Sequence, residues 1–405
     1  HDRVAQELLL GVGGVRLLRA LERNTDVYHF NEGHALFAGL ELIREKMNDG
    51  LSFVEAQASV KKNIVFTTHT PVPAGNEKHS IELLEKMGAV LAPITRDELI
   101  SLGGDPFEMT VAALRLSRMA NAVAQLHGRT ARTMWCEVLD AAPILSITNG
   151  VHMPTWQDGR IREFMSQEGT DEQLWMVHQE MKAELIEEIQ RRTGTRLSLN
   201  SLLVGFARRA ATYKRATLVL RDLEWLEPIL AEGKMQLVFA GKAHPEDAGG
   251  KAVIEQIVAM AKRFPKQIVF LENYDMQLGR LLTRGADVWL NTPARPMEAS
   301  GTSGMKASAN GCLNVSILDG WWDEGCEHGR NGWQFGDAFE GEGADSHDLL
   351  ALQSVMNEKV IPTYFDDQAR WISMMRRAIT TGQGQFSARR MLRDYIEKMY
   401  SEPTA

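Results

Sequence analysis

Apolar residues in the second half of the chain occur in short runs rather than in one continuous stretch. Five of these runs are rich in β-branched, leucine and aromatic residues, and they cover residues 202–206, 236–240, 267–271, 288–290 and 313–317. Helix-length segments separate the first four runs from one another. Such alternation is typical of a parallel sheet that helices cover on both faces. The pattern therefore predicts an α/β fold with a doubly wound parallel sheet in this half.

The first half mixes helices with fewer strands. Strand-like runs cover residues 27–30, 63–68 and 145–148, and helical patterns are found near 35–47, 81–91 and 110–126. Pro71 and Pro73 end the second run, because proline lacks the amide hydrogen that a strand needs. The glycines between Gly11 and Gly14 predict a break in the first helix.

Changes in this pattern predict three segments. Residues 1–160 would form an α/β domain, residues 161–375 a Rossmann-like domain, and residues 376–405 a helical tail that could cross back to the first domain. A helical pattern is already under way at Val4–Leu10. We therefore expect the chain to be part of a longer protein whose first domain is incomplete here.

Composition restricts the function classes. The chain has 405 residues, of which 44% are hydrophobic and 24% charged, as in a globular protein of two or three domains. The formal net charge of −8 argues against nucleic acid or an anionic membrane as a partner, so an anion site must be a local group of cations. No apolar run approaches the ~20 residues of a membrane span. The three cysteines lack a CxxC pair and predict reduced thiols in a cytoplasmic protein.

Residues 296–311, here called the Lys306 loop, combine small residues with one lysine. The small residues before the predicted helix are Ser300, Gly301, Thr302, Ser303 and Gly304. Backbone amides and hydroxyls of this kind suit a phosphate group, and Lys306 stands one turn further on. A phosphate site beside a shielded lysine is what pyridoxal phosphate requires. The alternative is a Gly/Ser loop with a solvated lysine; a P-loop does not fit, because the Gly-Lys-Ser/Thr ending is missing.

Four cations follow the first strand-like run of the second half within eight residues: Arg208, Arg209, Lys214 and Arg215. Ligands of open α/β sheets bind at the carboxyl ends of the strands, so this density predicts an anion site. Arginines offer paired donors to phosphate oxygens, and a lysine adds a movable charge. A solvated helix face is the alternative.

Three histidines, His34, His69 and His152, each follow a strand-like run. Their placement at strand ends indicates a polar cleft, with a structural role for each as the alternative. No HExxH or CxxC spacing is present, so no metal site is predicted.

Several motifs together resemble the α-glucan (glycogen, starch and maltodextrin) phosphorylases. The most specific is Glu-Ala-Ser-Gly-Thr-Ser-Gly-Met-Lys at 298–306 with a downstream Leu-Asp-Gly, and residues 316–325 are similar to the shorter bacterial branch. Further similar motifs are Arg209 with Tyr213-Lys214-Arg215, Leu271-Glu272-Asn273-Tyr274, Thr148-Asn149-Gly150 and Asn31-Glu32-Gly33-His34. The resemblance implies the GT-B glycosyltransferase architecture, in which two Rossmann-like domains face a cleft.

The resemblance also implies a reaction, the reversible phosphorolysis of terminal α-1,4-glucosyl units to α-D-glucose 1-phosphate with retained configuration. It implies that Lys306 carries pyridoxal 5'-phosphate, held by Thr302, Ser303, Arg208, Tyr274 and Trp156. Phosphate of the substrate would bind Arg209 and Lys214. The glucosyl unit would contact Glu298, Ser300, Gly301, Asn149, His69, Tyr213, Glu32 and His34. The catalytic set would be Lys306, Arg209, Lys214, Glu298 and His69.

Two features differ from the family pattern. The glycine-rich loop that the family places against the phosphates is expected upstream of this chain, and Asp275 stands where the longer enzymes carry a basic residue. One alternative is a nucleotide-sugar-dependent glucan synthase of the same fold, although such enzymes commonly have a second glutamate where this chain has Lys306. Another alternative is a glucan-binding fragment without catalytic activity.

The expected partners follow from the resemblance. They are an α-1,4-glucan or maltodextrin, inorganic phosphate and glucose 1-phosphate, with a homodimer as a candidate assembly. No nucleic acid or membrane partner is expected.

Overall fold

The computed structural model describes residues 2–72 and 75–401. The chain forms two compact units, one with His1–Thr148 and Leu392–Ala405 and the other with Asn149–Met391. Residues 149–160, assigned to the first domain from sequence, therefore belong to the second unit, as do residues 376–391. Pro73, which was predicted to help end a strand, lies outside the described residues.

The first unit is built on a small parallel sheet. Its strands are β1 (Tyr28–Asn31), β2 (Ile64–Thr67), β3 (Lys78–His79), β4 (Phe107–Glu108), β5 (Met119–Ala122) and β6 (Ile144–Ser146). The sheet has the order β1-β2-β5-β6 with every neighbouring pair parallel, and β3 and β4 form a separate antiparallel pair. Its helices are α1 (Asp2–Leu8), α2 (Gly14–Ala20), α3 (Phe37–Asn48), α4 (Phe53–Lys61), α5 (Ile81–Lys86), α6 (Arg96–Gly103), α7 (Met109–Leu116) and α8 (Gln125–Met134).

The single helix predicted over 110–126 is wrong. The structure has α7, then β5, then α8, and β5 lies between β2 and β6 in the sheet. The sequence Met-Ala-Asn-Ala of β5 has little intrinsic strand propensity. Burial between two neighbouring strands outweighs that weak local preference.

The predicted break at Gly11–Gly14 is also wrong. A π-helical turn, Leu9–Gly13, joins α1 to α2 without interrupting the helical course. Gly11 packs closely on α3, since a Cβ atom there would lie 2.5 Å from the amide nitrogen of Ala38. The glycine is needed for close helix packing, not for a chain break.

The second unit contains the predicted doubly wound sheet. Its strands are β7 (Leu202–Ala207), β8 (Met235–Ala240), β9 (Ile268–Leu271), β10 (Val288–Asn291), β11 (Leu313–Ile317) and β12 (Gly332–Phe335). The first five confirm the sequence prediction, which missed β12. The spatial order is β12-β11-β10-β7-β8-β9, and every neighbouring pair is parallel.

Helices cover this sheet and continue into the tail. They are α9 (Met153–Trp156), α10 (Gly159–Ser166), α11 (Asp171–Thr193), α12 (Leu223–Ala231), α13 (Ala248–Arg263), α14 (Met276–Gly285), α15 (Thr302–Ser308), α16 (Trp322–Gly325), α17 (Ala344–Val355), α18 (Ile361–Asp366), α19 (Gln368–Gln385) and α20 (Ala388–Tyr395). Shorter helical turns are Gly33–Ala35, Thr212–Lys214, Leu218–Leu220, Met356–Val360 and Ile396–Tyr400. Within the described residues, none of these helices combines the length and apolarity that crossing a membrane requires.

Successive residues of β7 pack on opposite faces of the sheet. Leu202 and Val204 belong to one buried cluster, whereas Leu203 and Ala207 belong to another. Both faces are therefore apolar, which explains why the strand sequences read as continuous hydrophobic runs without alternation.

The order of the strands reverses between β7 and β10. From β7 the chain proceeds to β8 and β9 on one side, and then returns to β10, β11 and β12 on the other. In open α/β sheets, the carboxyl ends of the two strands at such a reversal border the usual ligand crevice. The fold therefore predicts a ligand site at the residues that follow Ala207 and Asn291.

A buried ion pair fixes the opposite end of β10. Lys182 Nζ donates to Asp287 Oδ2 at 2.6 Å, to the carbonyl of Ser201 at 2.7 Å and to the hydroxyl of Tyr364 at 2.9 Å. Asp287 also lies 2.7 Å from His178 Nε2. Burial alone would raise the pKa of Asp287, but the adjacent charge of Lys182 and the bond to His178 hold it below its ordinary value. We call this group the Asp287 cluster.

Candidate cofactor and phosphate site

Two cations after β7 meet one carboxylate from the Lys306 loop. Arg208 donates to Asn291 Oδ1 at 3.2 Å and also bonds the carboxylate of Glu298. Lys214 Nζ lies 3.1 and 3.3 Å from the two oxygens of the same carboxylate. The side chains of all three are nearly buried, with 8–11% exposed. We call Arg208, Lys214 and Glu298 the Glu298 cluster.

Burial and mutual charge set the protonation of this cluster. Burial would raise the pKa of Glu298, but Arg208 and Lys214 outweigh it and keep this pKa below its ordinary value. Burial, together with the charge of Arg208, lowers the pKa of Lys214 to about 8, although Glu298 partly offsets the change. At neutral pH the cluster therefore carries two cations and one anion, a net positive charge in an acidic protein.

The cluster is not fully saturated with hydrogen bonds. Among the described residues, Nε of Arg208 has no acceptor, and the hydroxyl of Ser300 is buried without a partner. Ser300 is 5% exposed. Buried polar atoms are normally paired, so these unpaired atoms mark a place where another polar group fits.

Arg215 was predicted to belong to the anion site, and this prediction is wrong. Its Nε and Nη2 donate to the carbonyls of Thr292 and Pro293 at 2.8 and 2.7 Å, and its remaining contacts are to Asp345 and Asp348 at 2.9 and 2.6 Å. Arg215 is 6% exposed and adopts a positive φ of 46°. It therefore ties the loop after β7 to the loop after β10 and to α17, and its donors are engaged within the protein.

Arg209, by contrast, is exposed. Burial raises the pKa of the Tyr213 phenol. The positive charge of Arg209 and its hydrogen bond to that phenol oppose this rise. The ring of Tyr213 also lies 4.7 Å from Lys214 Nζ. Arg209 and Tyr213 consequently border the Glu298 cluster.

Lys306 lies on α15 and points at an aromatic ring instead of an acid. Its Nζ is 3.6 Å from the ring centre of Trp156. No hydrogen bond or ion pair of this amine is found among the described residues, and burial lowers its pKa. A half-buried amine without a carboxylate partner is chemically available, because it loses its proton more readily than an exposed lysine.

Asn310 places Trp156 against this helix. Its amide donates to the carbonyl of Trp156 at 3.1 Å and to the carbonyl of Lys306 at 2.8 Å. Its Oδ1 accepts from the amide of Asp158 at 2.8 Å. The sequence interpretation missed Asn310, whose position beside Gly311 after a predicted helix was the available signal.

Tyr274 connects the aromatic ring to the cations. A Cβ at Gly279 would lie 3.0 Å from the hydroxyl of Tyr274 and 3.6 Å from the ring of Trp156, so both rings border the same glycine. Burial raises the pKa of Tyr274, and the charge of Arg208 opposes this. Asp275, which differs from the family pattern, caps α14 by accepting from the amide of Leu278 at 2.8 Å.

The backbone of the Lys306 loop turns sharply before α15. Gly301 has φ of +83°, a conformation that side chains rarely tolerate. Thr302 begins α15, and no hydrogen bond of its hydroxyl is found among the described residues. The hydroxyl of Ser303 accepts from the indole of Trp289 at 3.2 Å, which leaves its own proton free to donate.

Asp319 is a site residue that the sequence interpretation missed. It accepts from the amide of Glu298 at 2.9 Å and from the amide of Gly320 at 2.8 Å. Burial raises its pKa to about 7, although these two bonds oppose the change. Its place in the Leu-Asp-Gly motif was the available signal. Asp319 fixes the backbone from which Glu298 projects.

Asn149 and His152 are not joined to this site by any hydrogen bond of the described residues. The carbonyl of Asn149 accepts from Arg390 at 3.0 Å. His152 Nδ1 bonds the hydroxyl of Thr155 at 2.8 Å and is exposed.

The first unit brings Glu32 and His69 together at the ends of β1 and β2. Glu32, with φ of +64°, accepts from the backbone amide of His69 and from Thr70 Oγ1 at 3.2 Å. His69 Nε2 lies 2.5 Å from Asn31 Oδ1. Burial lowers the pKa of His69 despite the opposing charge of Glu32, so its ring is neutral at pH 7. Polar side chains thus meet at the ends of β1 and β2, and a cleft that includes His34, His69 and His152 stays a prediction.

His34 has different partners. Its Nδ1 lies 2.7 Å from Arg3 Nη2 and 3.6 Å from Glu77. In the described part of the chain, the hydrogen bond and the ion pair of His34 are thus with Arg3 and Glu77, although His34 also contributes to the lowered pKa of His69.

Comparison with known proteins adds an independent finding. The carbohydrate phosphorylase family model matches residues 156–324. The maltodextrin phosphorylase of Thermococcus litoralis is 42% identical over an alignment that covers 100% of this chain and 54% of that protein. Glycogen phosphorylases of Mycobacterium tuberculosis H37Rv and Aquifex aeolicus are 40% and 37% identical, with 99% of this chain covered in each case and 54% and 66% of those proteins. The chain thus spans roughly half to two thirds of the length of these relatives.

Proposed function

This chain belongs to the carbohydrate phosphorylase family, and we propose that it supplies the cofactor and phosphate half of an α-glucan phosphorylase. The proposed reaction is the reversible transfer of a terminal α-1,4-linked glucosyl unit from a glucan or maltodextrin to inorganic phosphate, with retained configuration. The observation that carries the proposal is the amine of Lys306, which lies over Trp156 and has no acidic partner in the described part of the chain. It shares one unit with the positively charged Glu298 cluster.

The residues present fit pyridoxal 5'-phosphate. An amine with a lowered pKa, an unpaired buried hydroxyl at Ser300, and an unpaired Nε at Arg208 are what an aldehyde with a phosphate group would require. Thr302 and Ser303 would add hydroxyl donors, while Tyr274 and Trp156 would border the aromatic ring. When bound, this cofactor would supply an aldehyde for Lys306 and a phosphate group that exchanges protons near neutral pH.

The cations of the second unit suit the phosphate of the substrate. Lys214 and Arg209 would bind it, because a movable ammonium and a guanidinium are strong donors to phosphate oxygens. Glu298 would limit the net charge of the cluster and offer acceptors for hydroxyl groups of the glucosyl unit. Asp319 would hold the loop that presents Glu298, Ser300 and Gly301.

The neutral imidazole of His69 in the first unit suits a sugar hydroxyl instead. His69 would donate or accept a hydrogen bond without carrying a charge, and Glu32 would orient the backbone of His69. In the second unit, the resemblance to the family makes Asn149 and Tyr213 proposed contacts of a glucosyl unit. Positioning and charge complementarity would supply most of the rate acceleration, so no pair of glycosidase-type carboxylates is needed.

Phosphate-dependent release of glucose 1-phosphate from maltodextrin tests this proposal. We expect release by the chain saturated with pyridoxal phosphate, and none by Lys306→Ala. The control is Lys251→Ala, which removes an exposed lysine of α13. Elongation of the maltodextrin that requires a nucleotide sugar, without release of glucose 1-phosphate, would support a glucan synthase instead. Cofactor binding without release would favour a binding fragment.

A further inference from the structure

Four acidic and imidazole side chains converge in the first unit, away from the hydrogen bonds of Glu32 and His69. Glu7 comes from α1, His34 from the turn Gly33–Ala35, Glu77 from the segment before β3, and His79 from β3. One oxygen each of Glu7 and Glu77 and one ring nitrogen of His34 lie within 4.8 Å of one another. These residues are far apart in sequence, which explains why spacing motifs did not reveal the group.

Burial of the Glu7 carboxylate costs free energy, because a charged group loses its hydration in the protein interior. Glu7 is 1% exposed, and its Oε1 has no hydrogen-bond donor among the described residues. Oε2 of Glu77 is likewise buried without a donor. Burial raises the pKa of Glu7, and the neighbouring carboxyl group of Glu77 raises it further, although His79 opposes this. A positive species close to both carboxylates would offset this cost of burial.

Arg3 supplies part of that charge. Its Nε lies 2.7 Å from Glu77 Oε1 and 3.3 Å from Glu7 Oε1, and its Nη2 lies 2.7 Å from His34 Nδ1. In this arrangement Arg3 donates to Oε1 of Glu77, and among the described residues Oε1 of Glu7 and Oε2 of Glu77 accept no hydrogen bond. The side chain of Arg3 is 44% exposed, so it can leave without a large loss of burial.

We propose that Glu7, His34 and Glu77 form a binding site for a divalent transition-metal cation such as Zn²⁺, from which Arg3 is displaced when the metal binds. Two carboxylate oxygens and one imidazole nitrogen are ligands that zinc accepts in a tetrahedral site, with water as the fourth ligand. His79 Nε2 lies 3.0 Å from Glu7 Oε2 and would orient that carboxylate, as second-layer hydrogen bonds commonly do in metal sites.

The site would join three separate parts of the first unit. Metal binding would link α1 to the turn after β1 and to the segment before β3. The expected role is structural, since the ligands come from three separate elements of the first unit. The sequence analysis predicted no metal site, and this proposal opposes that prediction.

Zinc titration of the purified 405-residue chain at pH 7, followed by calorimetry and metal analysis, tests the proposal. We expect one zinc per chain, bound at least tenfold more weakly by Glu77→Gln and by His34→Ala. His79→Ala should weaken binding by about 10- to 100-fold through the orientation of Glu7. Lys78→Gln is the matched control, because Lys78 is exposed and pairs with Glu108 instead.

The variant Arg3→Gln should have the opposite effect on zinc binding. This test does not remove a metal ligand. Removing the competing cation should tighten zinc binding severalfold and raise the thermal midpoint measured with zinc. Zinc that binds equally well to the chain and to the Glu77→Gln and His34→Ala variants would be held elsewhere and would overturn the proposal. No zinc binding by either the chain or Arg3→Gln would indicate that Glu7 and Glu77 share only a proton.

Discussion

Buried clusters of charged side chains lie at both ends of β10, but only one of them belongs to the candidate site. At its start, the Asp287 cluster pairs every donor of the Lys182 amine, with acceptors from Asp287, Ser201 and Tyr364, and leaves only the ring Nδ1 of His178 without a partner among the described residues. At its other end, Nε of Arg208 in the Glu298 cluster and the hydroxyl of the nearby Ser300 have no partner in the described part of the chain. Both groups are nearly buried. Burial of charge alone therefore does not distinguish the two ends, whereas an unpaired donor on a buried cation at the carboxyl end of the strand does favour a ligand site there.

The largest effect is expected from Asp287→Asn. This change leaves the ammonium of Lys182 buried without its counter-charge, which should lower the free energy of unfolding by about 3–5 kcal/mol. Urea denaturation measures the change. The control is Glu227→Gln, which breaks an exposed ion pair with Arg263 and should cost less than about 1 kcal/mol. Equal losses in the two variants would refute a structural role for the Asp287 cluster.

Lys214→Ala should act on binding more than on stability. Loss of one charged donor should weaken inorganic phosphate binding by roughly tenfold or more, as expected from about 1.5–3 kcal/mol for a hydrogen bond to a charged group. Isothermal titration with phosphate measures this, and Lys251→Ala is the control. Unchanged affinity would place the phosphate away from the Glu298 cluster.

Glu298→Gln should have the reverse effect on phosphate. The carboxylate competes for Arg208 and Lys214, so its neutralisation should tighten phosphate binding by roughly threefold to tenfold. The same titration measures this gain. If Glu298→Gln instead weakened phosphate binding and unfolded the chain as readily as Asp287→Asn, the two clusters would not differ in kind.

The smallest predicted effect concerns pH. Because the pKa of Lys214 is lowered to about 8, its ammonium is lost as pH rises through that value, and phosphate affinity should fall above about pH 8. Lys214→Arg keeps its charge and should remove this fall. Phosphate titrations at pH 7.5, 8.5 and 9.5 with both proteins would show it, and parallel curves would contradict it.

Much of the fold follows from local pattern, because the strands of the second unit are buried on both faces and read as continuous apolar runs. β5 could not be predicted, since its Ala and Asn residues become a strand only through burial between β2 and β6. The same limit applies to β12, which begins with Gly332 at φ of +153°. Its strand pairing with β11 is a tertiary effect.

The sequence predicted the chemistry of the candidate site, but it identified only some of the residues that form it. Arg208, Lys214, Glu298 and Lys306 stand in recognisable motifs at strand ends. Nothing in the sequence distinguishes Arg215 from its neighbours, because its role depends on Asp345 and Asp348 more than a hundred residues later. Asp319 and Asn310 were missed for the same reason, since each acts through a backbone contact that exists only in the folded chain.

Covalent capture at Lys306 tests the central claim most directly. The chain is incubated with pyridoxal phosphate, reduced with borohydride and mapped by peptide mass spectrometry. The account predicts one pyridoxyl group per chain on the peptide that contains Lys306, with loss of this label in Lys306→Ala. Labels confined to exposed lysines such as Lys251, with none on Lys306 at saturating cofactor, would contradict it.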